Sequence, residues 1–130
     1  MKKIYFIITL CLFFLVGCSG TKKNYEINIS LEGNNETGYI WEYQGNKDET
    51  FELKKEDHIS NENNTETYSY KLVPLKEGTT SIAFKYTNNN EVLYLVKYDL
   101  EVDKKLNVKV LNVETNSNVI KQNIIINEIK

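Results

Sequence analysis

YEINISLEGNNETGYIWEY, residues 25–43, holds two alternating runs around a polar interruption. In the first run Tyr25, Ile27, Ile29 and Leu31 alternate with Glu26, Asn28 and Ser30; in the second, Tyr39, Trp41 and Tyr43 alternate with Ile40 and Glu42. A period of two sends successive side chains to opposite faces, so each run reads as a strand with one buried face. Between them stand Asn34, Asn35, Glu36, Thr37 and Gly38. Asn tolerates turn geometry and Gly reaches positive φ at little steric cost, so this segment reads as a turn. Tyr39 and Trp41 follow it at strand spacing and are expected in the core.

The same alternation recurs along the chain. Phe51 and Leu53 form a short run, then Tyr68, Tyr70 and Leu72, then Ile82, Phe84 and Tyr86. Residues 92–102 form a long run with Val96, Tyr98, Leu100 and Val102 on one face; Leu106, Val108 and Val110 follow, and residues 119–129 close the chain. Polar turns separate the runs at 44–49, 57–67, 76–78, 87–90, 103–105 and 115–118. No stretch shows helical periodicity, and β-branched and aromatic residues fill the apolar positions, which favours strands. Many short, turn-separated strands indicate an all-β sandwich or barrel. A sandwich suits the single Trp41, placed to pack between two sheets. The sandwich is expected over 25–113, a C-terminal β extension over 114–130, and the strands within about 106–129 as an added hairpin.

The N-terminus is of another kind. Lys2 and Lys3 precede residues 4–16, which are almost wholly apolar, and Leu15-Val16-Gly17-Cys18 follows directly. A run of 13 residues is short of the about 20 needed to span a bilayer. The combination resembles the signal peptide and lipobox of bacterial lipoproteins. That resemblance implies removal of residues 1–17, lipidation of Cys18, a tether over 18–24, and a chain exported and lipid-anchored to the outer face of a bacterial membrane. Cys11 would be discarded with the leader, so the exported chain would have neither a free thiol nor a disulfide and would depend on packing. The 113 residues from Cys18 onward suffice for a core, since a domain of that size buries roughly two-thirds of its unfolded surface. Charge is uninformative about partners: the whole chain carries −2, and without Lys2 and Lys3 it has 14 Lys against 18 acidic residues and no Arg. A basic patch with interleaved aromatics, the footprint of nucleic-acid binding, is missing.

Catalytic chemistry finds little material. His58 is the only histidine and is expected in a polar loop beside Asp57. A metal site requires several His, Cys or carboxylate ligands at recognisable spacing, and a nucleophile requires a base within reach. Glu52, Glu56 and Asp57 lie among lysines and read as a solvated face rather than a hydrolase pair. The chain is therefore expected to be no enzyme and to hold no metal or cofactor. Its loops remain, because a sandwich gathers them at its two ends on a rigid frame.

Asn34-x-x-Thr37-Gly38-Tyr39-x-Trp41 resembles the N-P-T-T-G-Y-x-W signature of the chagasin family, protein inhibitors of papain-like cysteine peptidases. Lys76-Glu77-Gly78-Thr79-Thr80-Ser81-Ile82 is similar to the family's K-x-G-T-T-x-I turn and strand, and Tyr98-Asp99-Leu100-Glu101-Val102 to its closing strand. The resemblance covers about residues 25–110. It implies an immunoglobulin-like β-sandwich and reversible inhibition by three neighbouring loops that enter a peptidase cleft. The peptidase-binding residues would be Asn34, Asn35, Glu36, Thr37 and Gly38 in the central loop, Asn63 and Asn64 in the second, and Asn88, Asn89 and Asn90 in the third. Three departures stand out: Asn35 replaces Pro, Glu36 replaces Thr, and Asn88-Asn89-Asn90 replaces R-P-W. The expected partner is a papain-like peptidase met by a monomer. An alternative is a surface-exposed immunoglobulin-like module for binding or adhesion without peptidase inhibition.

Overall fold

A computed structural model of the chain describes residues 24–46 and 48–129; the proposed leader, Cys18 and most of the tether lie outside them. Eight strands run in the order β1 (Asn24–Asn34), β2 (Ile40–Tyr43), β3 (Phe51–Ser60), β4 (Thr65–Pro74), β5 (Gly78–Asn88), β6 (Glu91–Val102), β7 (Val108–Thr115) and β8 (Gln122–Ile129). They form two antiparallel four-stranded sheets, β3-β4-β1-β8 and β2-β5-β6-β7. One short 3-10 turn spans Glu62–Asn64. Among the described residues no helix is long and apolar enough to cross a membrane.

The alternating positions meet between the sheets. Ile27, Ile29 and Leu31 of β1, with Tyr70 and Leu72 of β4, face Ile82 and Phe84 of β5 and Val96, Tyr98 and Leu100 of β6, all essentially without solvent exposure. Each such apolar side chain contributes roughly 1.5–3 kcal/mol by leaving water. Polar bonds also cross the gap. The Trp41 indole Nε1–H donates to the Glu32 carbonyl (3.1 Å), the Tyr70 hydroxyl to the Trp41 carbonyl (3.3 Å), and the Tyr98 hydroxyl to Gln122 Oε1 (2.6 Å). Burial raises the Tyr70 and Tyr98 phenols well above their ordinary range.

Three expectations need correction. First, the strands within 106–129 do not pair with each other. β7 pairs with β6 and β8 pairs with β1, so each extends a different sheet. Ile124 and Ile126 of β8 oppose Ile29 and Ile27, completing a core face that β1 would otherwise leave open. Second, residues 57–60 belong to β3, an edge strand exposed along most of its length with a register shift between Leu53 and Lys55. His58 is thus a strand residue, its ring stacked on Tyr68 at 5.3 Å. Third, the 87–90 loop is a tight turn: Asn88 pairs with Glu91, and only Asn89 and Asn90 lie between the strands. Both have positive φ (47° and 71°), the geometry of two-residue hairpins that Asn accepts readily.

Candidate functional site

Register places three turns at one end of the sandwich. Asn34, the last residue of β1, pairs with Thr65, the first of β4, which sets the 61–64 turn beside the 35–39 loop. On the other side β2 begins at Ile40 opposite Thr87, which brings up the β5–β6 turn. Direct contacts join all three. The Asn35 N–H donates to the Asn64 carbonyl at 2.9 Å. A Cβ on Gly38 would lie 3.1 Å from Asn88 Nδ2. The Tyr39 phenol is half-buried behind the loop, and the Glu91 carboxylate at the start of β6 is the main reason it is held above its ordinary range.

The central loop is organised by its own side chains. Asn34 Oδ1 accepts the Glu36 N–H (2.8 Å), Thr37 Oγ1 donates to the Asn34 carbonyl (2.9 Å), and the Tyr39 N–H donates back to Thr37 Oγ1 (3.3 Å). Beneath the loop sits Tyr86 of β5, almost fully buried. Its Oη accepts the Asn34 N–H at 2.9 Å, returns a hydrogen bond to the Asn34 carbonyl at 3.3 Å, and lies 3.3 Å from Thr37 Oγ1. The Tyr86 ring is itself fixed by Trp41, Tyr39 and Tyr94, with centroids 5.0, 5.4 and 5.7 Å away. Gly38 completes the loop at φ +76°, a conformation that strains any residue with a Cβ.

The structure therefore brings together the ten positions singled out in the sequence. Asn35, Glu36, Thr37, Gly38, Asn63, Asn64, Asn89 and Asn90 are exposed; Asn34 is exposed with its backbone engaged, and Asn88 is half-buried at the end of β5. Asn63 and Asn64 also take positive φ (64° and 60°), so both outer turns are built from left-handed asparagines. Tyr86 and the Tyr39–Glu91 link escaped the sequence reading. In the sequence Tyr86 is one more apolar position of an alternating run, and its hydroxyl partners stand 49 and 52 residues away. Among the described residues no group of three or more His, Cys, Asp or Glu could hold a metal ion. Thr37 Oγ1 is engaged by the Asn34 carbonyl and Tyr86. The tip thus presents hydrogen-bonding groups on a backbone that these bonds hold in place.

Comparison with known proteins gives two matches. The family model described as chagasin family peptidase inhibitor I42 matches residues 21–102, more than half of the chain. Among solved structures, the cysteine protease inhibitor EhICP2 from Entamoeba histolytica aligns with a TM-score of 0.53 and 26% sequence identity, over 60% of this chain and 78% of that one. No curated protein matches the chain.

Proposed function

Because the chain belongs to the chagasin family of peptidase inhibitors, we propose that it is a membrane-anchored, reversible inhibitor of papain-like cysteine peptidases that inserts the 34–38 loop into the active-site cleft. Membership of that family makes it an inhibitor of peptidases and not an enzyme. The observation that carries the finer reading is the bonding of the loop. Its backbone is held by Asn34, Thr37 and Tyr86 before any partner arrives. A loop already fixed loses little conformational freedom on docking, so more of the contact energy is expressed as affinity. Inhibition then follows from occlusion. Thr37 and Gly38 are small enough to enter a narrow cleft.

The replacement of Pro by Asn35 fits this reading. Proline would stiffen the loop through its ring but would lack an N–H. Asn35 uses its N–H to bond the Asn64 carbonyl, so the neighbouring turn supplies the constraint that the ring would have given. The anchoring part of the proposal rests on Lys2, Lys3, the apolar run and Cys18. Its geometry is coherent with the tip. β1 starts at Asn24, next to the tether, and ends at Asn34, next to the loop. At about 3.3 Å per residue the strand separates these ends by roughly 33 Å, presenting the loop away from the membrane.

Inhibition is tested by titrating papain with residues 24–130, which contain all eight strands, and with the Gly38→Trp variant. Stoichiometric inhibition by the parent and none by the folded variant is expected. A folded parent that leaves papain active at micromolar concentration would contradict the proposal and favour another protein partner for the tip. For the anchor, labelled fatty acid should enter the full-length chain in its bacterial host and fail to enter a Cys18→Ala variant.

A further inference from the structure

The β7–β8 turn lies beside the tip turns, although it falls outside the family match at 21–102. It is tied to both sheets. Gln122 pairs with Leu31, and the Glu32 N–H donates to the Lys121 carbonyl (3.1 Å), setting residues 119–121 against the end of β1 just before the loop. On the other side Asn116 grips β6. Its Oδ1 accepts the Leu95 N–H (2.8 Å), its Nδ2 donates to the Leu93 carbonyl (3.2 Å), and its own N–H donates to the Leu95 carbonyl (3.3 Å). Between this turn and the 34–38 loop opens a recess of about 290 Å³, whose walls include Asn34, Thr37, Trp41, Leu93 and Val119. Val119 is 63% exposed and Leu93 41% exposed. Nearby, Lys121 Nζ lies 3.9 Å from Glu32 Oε1, so that cation is already paired.

We propose that the β7–β8 turn is a fourth contact element for the peptidase, and that the recess seats an apolar side chain from the wall of its cleft between Leu93 and Val119. This inference rests on the reading of the 34–38 loop as the inserting element. The two surfaces are continuous: Asn34 and Thr37 belong both to the loop and to the recess, so a protein that closes on the loop also closes on Val119. A single exposed valine on a protein surface is ordinary. Here two apolar side chains flank a recess that reaches Trp41, held rigidly next to the docking loop. Lying beyond the family match, the turn would give this chain a preference among related peptidases that the three shared turns do not supply.

The test compares residues 24–130, Val119→Asp and Gly38→Trp as papain inhibitors, with thermal midpoints measured for each. Val119→Asp should raise the inhibition constant about tenfold, the effect of losing a significant interface side chain, with an unchanged midpoint. A fluorophore on Val119→Cys, the sole thiol because Cys11 and Cys18 both precede residue 24, should shift to the blue in the complex. If Gly38→Trp abolishes inhibition while Val119→Asp inhibits like the parent and the fluorophore stays in water, the fourth contact is wrong and the loop assignment stands. If the parent itself does not inhibit, both fall.

Discussion

Tyr86→Phe isolates the pin beneath the loop. The substitution removes one hydroxyl and keeps the ring, so the contacts with Trp41, Tyr39 and Tyr94 survive and no cavity opens. Three interactions are lost: the 2.9 Å bond from the Asn34 N–H and the two 3.3 Å approaches to the Asn34 carbonyl and Thr37 Oγ1. A net hydrogen bond contributes about 0.5–1.5 kcal/mol. Counting the short bond fully and the long ones in part gives about 1–2 kcal/mol, with the lower half expected because Asn34 is exposed and water can replace its partner. For a domain near 100 residues, about 1 kcal/mol lowers Tm by roughly 4 °C. The same loss frees the loop, which must then be ordered on docking. An ordering cost of about 0.5–1.5 kcal/mol raises the inhibition constant roughly two- to twelvefold. Thr37 still bonds the Asn34 carbonyl at 2.9 Å, so inhibition weakens and is not abolished. Thermal unfolding and papain titration read the two effects separately. A variant with lower Tm and unchanged inhibition would refute the reasoning, since Tyr86 would then hold the sandwich and not the loop.

Two further outcomes follow from the same geometry. In Gly33→Ala the new Cβ would stand 3.2 Å from ring atoms of both Tyr68 and Tyr86, neither free to move, because Tyr68 is bonded to Glu66 and Tyr86 to Asn34; urea unfolding should show a loss of roughly 1–3 kcal/mol, and an unchanged midpoint would mean the rings yield. Burial raises the Tyr68, Tyr70 and Tyr98 phenols above their ordinary 10.0, so folding favours their neutral form: stability is fully present below pH 10 and lost as the pH rises beyond it. Phenolate absorbance from these residues should accordingly appear together with loss of the β circular dichroism, and their titration near pH 10 in an intact fold would contradict this.

Much of the architecture was legible because burial on one face forces a period of two. Ile27, Ile29 and Leu31 or Val96, Tyr98 and Leu100 announce both the strand and its buried face. Pairing partners were less legible. β7 and β8 are adjacent in sequence and read as a hairpin, but Ile124 and Ile126 are used to cover β1, about a hundred residues away. Alternation names a face and not the strand beside it. The second half of β3 was hidden for the opposite reason: as an exposed edge it has no buried face, so Asp57 and His58 read as loop. At the tip the motif located the central loop, and the Asn clusters located the outer turns. The bonds that fix them did not show, because Tyr86 Oη and the Asn64 carbonyl reach the loop only through the fold.

The claim that the 34–38 loop enters the cleft is tested most directly by binding residues 24–130 to papain whose cleft has been filled by a covalent active-site inhibitor, beside untreated papain. The account predicts binding to the untreated enzyme and none to the filled one. Equal binding to both would contradict it, placing the contact outside the cleft.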